Sequence, residues 1–291
     1  MKYDFISDVH GRLNKLIQLL EKAGYIKDSE GDYYHPEGRI AFFLGDIIDK
    51  GKYVTKTFFM VKRMVEKGYA KIVLGNHELN FIAIHLKNKK GEYLRKRDEG
   101  KLRQIEKSLD LLNYKEEVFD FIYDIPLFYE EKNLKVIHAC WDNKYINHVK
   151  KYLSNDNKLN EDSYKNLYLD PVSFDALEIV LKGYELNISP EGYHDKSGIL
   201  RETCRYNWWE EELDYETVPD HVELSSHLFE NMEKYKGDDY IFFGHYTKKG
   251  KPYVQSKRAM CLDFCREGYL TMYRFSEEDK ELNQNNLIYL K

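Results

Sequence analysis

Apolar residues recur over the first 80 positions in two alternating rhythms, and the alternation predicts βαβαβ. Short apolar runs at residues 3–6, 40–44 and 71–74 read as buried strands. Between them, 12–24 and 54–68 carry helical spacing, with Leu13, Leu16, Ile17, Leu19 and Leu20 forming one wide apolar stripe. Gly24 and Gly68 close the two helices where a left-handed cap favours glycine. Residues 79–124 are mostly helical and highly charged, with KNKKGEYLRKRDEGK as a solvated segment, and 134–137 adds a strand.

From about 144 to 237 the rhythm changes. Helices are expected around 162–169 and 172–182, followed by a polar stretch at 183–198 and then RETCRYNWWEEE. This reads as a cap inserted within one domain spanning 1–291. The regular pattern resumes at 240–243, Tyr253, 259–264 and 269–275, read as closing strands.

Composition changes this picture little. At 291 residues, 42% hydrophobic and 33% charged, the chain can bury a real core. A net charge of -5 offers no general attraction to nucleic acid or to an anionic membrane. An anionic substrate must then be held by local charge or by a metal. No run approaches the roughly 20 apolar residues of a bilayer span, and MKYDFISDVHG lacks a signal-peptide pattern. Cys140, Cys204, Cys261 and Cys265 match neither a zinc ribbon nor a secreted disulfide scaffold, so a soluble, cytoplasmic protein with reduced thiols is expected.

The chemistry gathers where the strands end. SDVHG places Asp8 and His10 two apart after the first strand, so alternation can send both toward one ion. In GDIIDKG, Gly45 lets the backbone turn and frees Asp46. Asp49 cannot share that direction in an extended segment and fits a supporting place behind the ligands. VLGNHEL repeats the arrangement, offering an amide oxygen on Asn76, an imidazole on His77 and a carboxylate on Glu78. His138 in KVIHACW and His245 in IFFGHY end two more apolar runs. Each block alone also reads as a turn or a satisfied core histidine. Repetition at successive strand ends argues for a site, because an open α/β sheet collects its chemistry there. Asp8, His10, Asp46, Asn76, His138 and His245 are too many mixed donors for one tetrahedral ion and suit two borderline divalent cations.

In order and spacing, DVHG, GDIIDKG, GNHE, His138 and GHY resemble the calcineurin-like metallophosphoesterases. The branch is that of PPP-type Ser/Thr phosphatases, symmetrical dinucleoside tetraphosphatases and bacterial RNA-repair phosphatases. The blocks cover residues 1–80, 134–142 and 238–275, where MCLDFCREGYLTMY resembles the closing strand pair. The resemblance implies an α/β fold, a four-layer αββα sandwich with a largely helical insertion. It implies that Asp8, His10 and Asp46 hold one metal while Asp46, Asn76, His138 and His245 hold the other, with Asp46 bridging. Manganese is the expected ion, with iron, zinc, cobalt and nickel as alternatives. His77 would be the general acid and Asp49 its partner, with Glu78 bracing nearby backbone or Asn76 and Asp263 approaching the metals. The implied reaction is hydrolysis of phosphate esters or phosphoanhydrides by metal-hydroxide attack.

Two positions depart from the family pattern. Lys50 and Leu74 stand where the protein phosphatases carry phosphate-gripping arginines, and a lysine lacks the bidentate fork. HDKSGILRETCRYNWW offers Arg201 first and Arg205 second as the replacement, four apart and on one face if helical. Alternatively both arginines pair with Glu202, Glu210, Glu211 and Glu212 while Trp208 and Trp209 anchor the cap. Paired tryptophans able to stack on a base favour a phosphorylated small molecule or nucleotide. A Ser/Thr phosphoprotein substrate and a non-catalytic metal-binding scaffold are the alternatives. Lys248, Lys249 and Lys251 follow His245 and read as an exposed loop, with attraction of polyphosphate as the alternative. His35, His85, His148, His194, His221 and His227 fit no block. Neither a membrane nor a nucleic-acid partner is expected, and the oligomeric state stays open.

Overall fold

The computed structural model describes residues 2–188, 192–194, 200–210 and 234–291. β1 (Lys2–Ile6) leads into α1 (Leu13–Lys22), a hairpin of β2 (Ile26–Lys27) and β3 (Tyr33–Tyr34), then β4 (Ile40–Phe43), α2 (Val54–Glu66) and β5 (Ala70–Ile72). The expected βαβαβ is there, with an added hairpin whose two-residue strands are too short to show a period. Gly24 and Gly68 follow the two helices with φ of +90° and +73°, the left-handed stop that glycine tolerates.

Next come α3 (Asn76–Ala83), α4 (Glu99–Ile105), a 3-10 helix (Glu106–Tyr114) and α5 (Lys115–Asp124), then the hairpin of β6 (Phe128–Glu131) and β7 (Leu134–Ile137). The 144–237 segment is helical as far as its described residues reach 182, through α6 (Asn143–Lys150), α7 (Glu161–Leu169) and α8 (Pro171–Lys182). It then turns extended, in β8 (Glu185–Asn187), β9 (Tyr193–His194), β10 (Leu200–Arg201) and β11 (Thr203–Arg205). Glu211, Glu212, His221 and His227 lie outside the described residues. The last elements are β12 (Tyr240–Phe243), β13 (Ala259–Cys261), β14 (Leu270–Ser276) and β15 (Leu287–Leu290). Tyr253, expected in a strand, lies in a loop because neighbouring backbone groups bond side chains instead of a ladder. Val254 N–H donates to Gln284 Oε1, and Tyr253 O accepts from the Gln255 amide.

Two sheets carry the architecture among the described residues. In the five-stranded sheet, ordered β15-β14-β1-β4-β5, strands β1, β4 and β5 run parallel. In the four-stranded sheet, ordered β13-β12-β7-β6, strands β13, β12 and β7 run parallel. The sheets face each other through Tyr3, Phe5, Phe42, Phe242 and Phe275, with Phe5 stacked on Phe242 at 3.9 Å. Alternation produces this: Tyr3 and Phe5 point between the sheets while Ile6 joins the helix-facing core. α1 packs on β14 and β15, and α2 on β5. Behind the other sheet, Cys140 N–H donates to Val180 O of α8 at 3.1 Å. Helices outside two facing sheets give the αββα layering. Among the described residues, no helix is long and apolar enough to cross a membrane.

Alternation also turns Asp4 away from the inter-sheet core, and its burial demands partners. Asp4 accepts from Arg39 Nε at 2.8 Å, the Tyr25 hydroxyl at 3.0 Å and Arg274 Nε at 3.3 Å. Arg39 also donates to Tyr3 O and Phe275 O at 2.8 and 2.9 Å, tying β1 to β14. Arg39→Ala is expected to cost about 3 kcal/mol, the low end for breaking a buried pair, because Arg274 stays beside Asp4. The shift in urea midpoint measures it. A loss under about 1 kcal/mol, the size of an exposed pair, would mean that water reaches Asp4.

Candidate metal centre

Backbone conformation is the first sign of a built site. His10, Asp46, Asp49, Lys50 and His245 make up five of the seven non-glycine residues with positive φ among the described residues, at +47°, +50°, +65°, +55° and +65°. Such backbone costs on the order of 1–3 kcal/mol per residue and persists only where its surroundings enforce it. These residues follow the ends of β1, β4 and β12, where the chain must leave the sheet abruptly. Asp49 thereby escapes the extended path that its sequence implied. Two glycines permit the close approach: a Cβ on Gly75 would overlap Asp46, and one on Gly244 would overlap Asp8 Oδ1.

Asp46 stands where the two sheets meet. His10 Nε2 and His77 Nε2 each lie 3.7 Å from its Oδ2, and His138 Nε2 lies 3.4 Å from its Oδ1. Asn76 Oδ1 is 3.0 Å from His138 Nε2 and 2.9 Å from His245 Nδ1. Two triplets able to hold a metal result, His10 with Asp46 and His77, and Asp46 with His138 and His245. Asp46 belongs to both.

The donor set fits divalent cations. His10 Nδ1 donates to Ile48 O at 2.9 Å and His138 Nδ1 to Leu44 O at 2.6 Å, which turns each Nε2 toward Asp46. Nitrogen to oxygen separations of 3.4 and 3.7 Å exceed hydrogen-bond length and suit ligands sharing an ion at about 2 Å from each. Burial pushes the His10 and His245 imidazoles down toward the neutral form a metal requires. Burial works against ionised Asp46, yet His138 and His77 hold its carboxyl well below the usual range.

Other expected residues surround this centre. Asp8 is buried and accepts His245 N–H at 3.2 Å, but the triplet at His10 contains His77 where Asp8 was expected. Burial, then the charge of Asp263, pushes the Asp8 carboxyl up. Asp263 is itself buried, accepting from Thr247 Oγ1 at 2.6 Å and Cys265 N–H at 2.8 Å. Glu78 spans the GDIID turn, accepting Asp46 N–H and Ile47 N–H at 2.9 Å each. Lys50 Nζ lies 2.7 Å from His10 Nε2, the nitrogen a cation would use.

His77 Nδ1 is 2.5 Å from Asp49 Oδ2. Against the effect of burial, Asp46 and Asp49 push the His77 imidazole up. The other Asp49 oxygen accepts from the Ser108 hydroxyl, and Ser108 Oγ accepts Asp49 N–H at 3.0 Å. Ser108 was not anticipated from sequence. One signal was available: with three residues per turn, Ile105, Ser108 and Leu111 share one buried stripe, where a serine needs a partner.

Residues 200–210 and Lys248 depart from three expectations. Arg201 and Arg205 sit on strands β10 and β11, not on one helix, because the Thr, Tyr and Trp content of RETCRYNWW favours extended backbone. Arg201 is exposed, whereas Arg205 is half-buried, 4.0 Å from Glu185, and its charge is the main influence after burial holding His245 down. Trp208 and Trp209 are only 2% and 3% exposed, so neither offers a face to a base. They pack on Phe243 and Tyr246, and Trp208 Nε1 donates to Ala139 O at 3.2 Å. Lys248 is buried, not in an exposed loop, and pairs with Glu210 at 2.8 Å.

A family model described as calcineurin-like phosphoesterase matches residues 1–248. An asymmetrical bis(5'-nucleosyl)-tetraphosphatase of Halalkalibacterium halodurans is 42% identical over 77 residues, so this chain spans 31% of that relative and the match takes in 26% of this chain. A symmetrical bis(5'-nucleosyl)-tetraphosphatase of Buchnera aphidicola is 25% identical over 299 residues, covering 95% of both chains. The solved cold-active protein-tyrosine phosphatase of a Shewanella species shares the fold, with a TM-score of 0.51 and 17% identity over 100% of this chain and 80% of that one. A family match that runs through the end of β12 takes in the turns bearing Asp8, Asp46, Asn76, His138 and His245, and the chain belongs to the calcineurin-like phosphoesterases.

Proposed function

We propose that the chain is a two-metal phosphoesterase hydrolysing a phosphate ester or phosphoanhydride of a small or nucleotide substrate, a dinucleoside polyphosphate foremost. The observation that carries this reading is the shared Asp46 carboxylate, within reach of His10 and His77 on one side and His138 and His245 on the other. Asp8, His10 and Asp46 would hold one divalent cation, and Asp46, Asn76, His138 and His245 the second. Imidazole mixed with carboxylate suits manganese, iron, zinc, cobalt or nickel better than calcium, and manganese is our choice among them. Bound there, the cations would neutralise phosphoryl oxygens and lower the pKa of water.

The remaining roles fall to the chain itself. His77 holds a proton at Nε2 for the leaving oxygen, with Nδ1 fixed by Asp49. Glu78 fixes the turn that carries Asp46, so the carboxylate keeps its aim. Lys50 must leave His10 Nε2 whenever that nitrogen becomes a ligand, and a substrate phosphate is the natural anion for its ammonium. Arg205 stands in for the arginines missing at positions 50 and 74, while residues 144–237 act as a cap inserted in a single domain. Relatives named as symmetrical and asymmetrical bis(5'-nucleosyl)-tetraphosphatases support a nucleotide phosphoanhydride, which the buried tryptophans do not. Four free cysteines, three of them buried, agree with a cytoplasmic setting.

A substrate panel on manganese-loaded protein, with metal content measured on the same sample, tests this reading. It comprises aryl mono- and diesters, dinucleoside tetraphosphate and a phosphoserine peptide. Preference for the peptide would make the chain a protein phosphatase, and no hydrolysis with any divalent metal would leave a metal-binding scaffold. For the best substrate, Arg205→Ala is expected to raise KM roughly 10–100-fold, the loss of a hydrogen bond to a charged group. Arg201→Ala should change KM by no more than about twofold, as at an ordinary surface position. The reverse ranking would return the phosphate clamp to Arg201.

A further inference from the structure

We propose that Ser108 is a positioning residue for the proton-delivering pair His77 and Asp49, a role that rests on the phosphoesterase reading above. Ser108 is fully buried on the 3-10 helix, 59 residues along the chain from Asp49 and outside every motif block. Its single proton goes to Asp49 Oδ1, and its oxygen accepts Asp49 N–H at 3.0 Å. Backbone and carboxylate of one residue are thereby pinned by one hydroxyl.

The need for such a pin follows from the backbone. Asp49 holds φ of +65°, a left-handed conformation uncommon for residues other than glycine, so contacts that hold it there carry weight. Its Oδ2 is committed to His77 Nδ1 at 2.5 Å, so rotation of the carboxylate about its own bond would break that contact. Ser108 holds the other oxygen and blocks the rotation. His77 Nε2 then keeps one direction, toward the edge of the Asp46 carboxylate 3.7 Å away. Proton delivery limits the rate only when the leaving oxygen is basic, so the influence of Ser108 must depend on the leaving group. A serine that served packing alone would act on all substrates equally.

Manganese-loaded wild-type and Ser108→Ala proteins would be compared on phenyl phosphate and on 2,4-dinitrophenyl phosphate, whose leaving group needs no proton. The variant is expected to lose about tenfold in kcat on phenyl phosphate, a part of the ~10²–10⁴ that a general acid supplies, with KM unchanged. On the dinitrophenyl ester its kcat should stay within about twofold, the scatter of a neutral substitution. Ser108→Cys, closer in shape and a weak donor, replaces the alanine variant if that protein does not fold. The second readout needs neither substrate nor metal. In metal-free protein the low-field proton resonance of His77 Nδ1, assigned by its absence from His77→Asn, is expected to move upfield or vanish in Ser108→Ala. An unmoved resonance, or equal loss on both esters, overturns the proposal. Should wild-type protein hydrolyse no ester at all, the phosphoesterase reading fails by itself, and the resonance still decides whether Ser108 holds the pair.

Discussion

Asp46→Asn protein is expected to bind divalent metal more than about 100-fold more weakly than wild type, beyond what removing an outer partner of a ligand costs. Measurable turnover should vanish with it. Asp46 is the one carboxylate common to both triplets, so in the proposed two-cation site its charge would serve both ions. Asparagine has the same outline but no charge, and only one of its two terminal atoms can donate a lone pair. The fold should survive, because the contact from His77 N–H to Asp46 Oδ1 at 2.9 Å can be kept by the amide oxygen. Metal content after dialysis, measured by mass spectrometry beside an aryl phosphatase assay, gives the answer. Retention of two ions per chain with most of the activity would remove Asp46 from the bridging position.

His77→Asn carries the second large expected effect, and it separates two uses of one nitrogen. Asp49 occupies Nδ1, so Nε2 alone is free, and it lies as far from Asp46 Oδ2 as His10 Nε2 does, 3.7 Å. If Nε2 delivers a proton, kcat on an unactivated ester should fall roughly 10²–10⁴-fold while metal content stays at the wild-type value. If Nε2 is a ligand in place of Asp8, metal content should drop together with kcat. We expect the first result. Asp8 is buried and accepts the backbone N–H of His245, and His77 is the histidine held by a carboxylate of its own.

The candidate ligands were legible in the sequence because each follows an apolar run that forms a strand, and Asp46, Asn76 and His245 come directly after a glycine. Sequence order also revealed the three parallel strands of the first sheet, since a helix stripe separates each from the next. Geometry that depends on distant residues was not legible. The left-handed turn at Asp49 is tied by its N–H to Ser108 Oγ, 59 residues away, and nothing within GDIIDKG signals that partner. Lys248 looked like part of an exposed lysine loop, and its burial goes with partners far along the chain, Glu210 38 residues away and the ring of Trp209. The arginines of the insertion were placed by i,i+4 spacing, a helical rule applied to chain that is extended. β6 and β15 escaped notice because their burial alternates weakly, one in a hairpin and one at a sheet edge.

The packing of the insertion has an optical consequence. The chain has three tryptophans, and all of them adjoin the two histidine turns of the second sheet. Trp141 follows His138 by three positions, Trp208 hangs from the Ala139 carbonyl, and Trp209 lies 4.7 Å from the ring of Tyr246, the neighbour of His245. Indole emission from this protein therefore arises at one place. A spectrofluorimeter watching the unlabelled chain would see cations arrive at His138 and His245 as a change in brightness or colour, with no tryptophan elsewhere to dilute the signal.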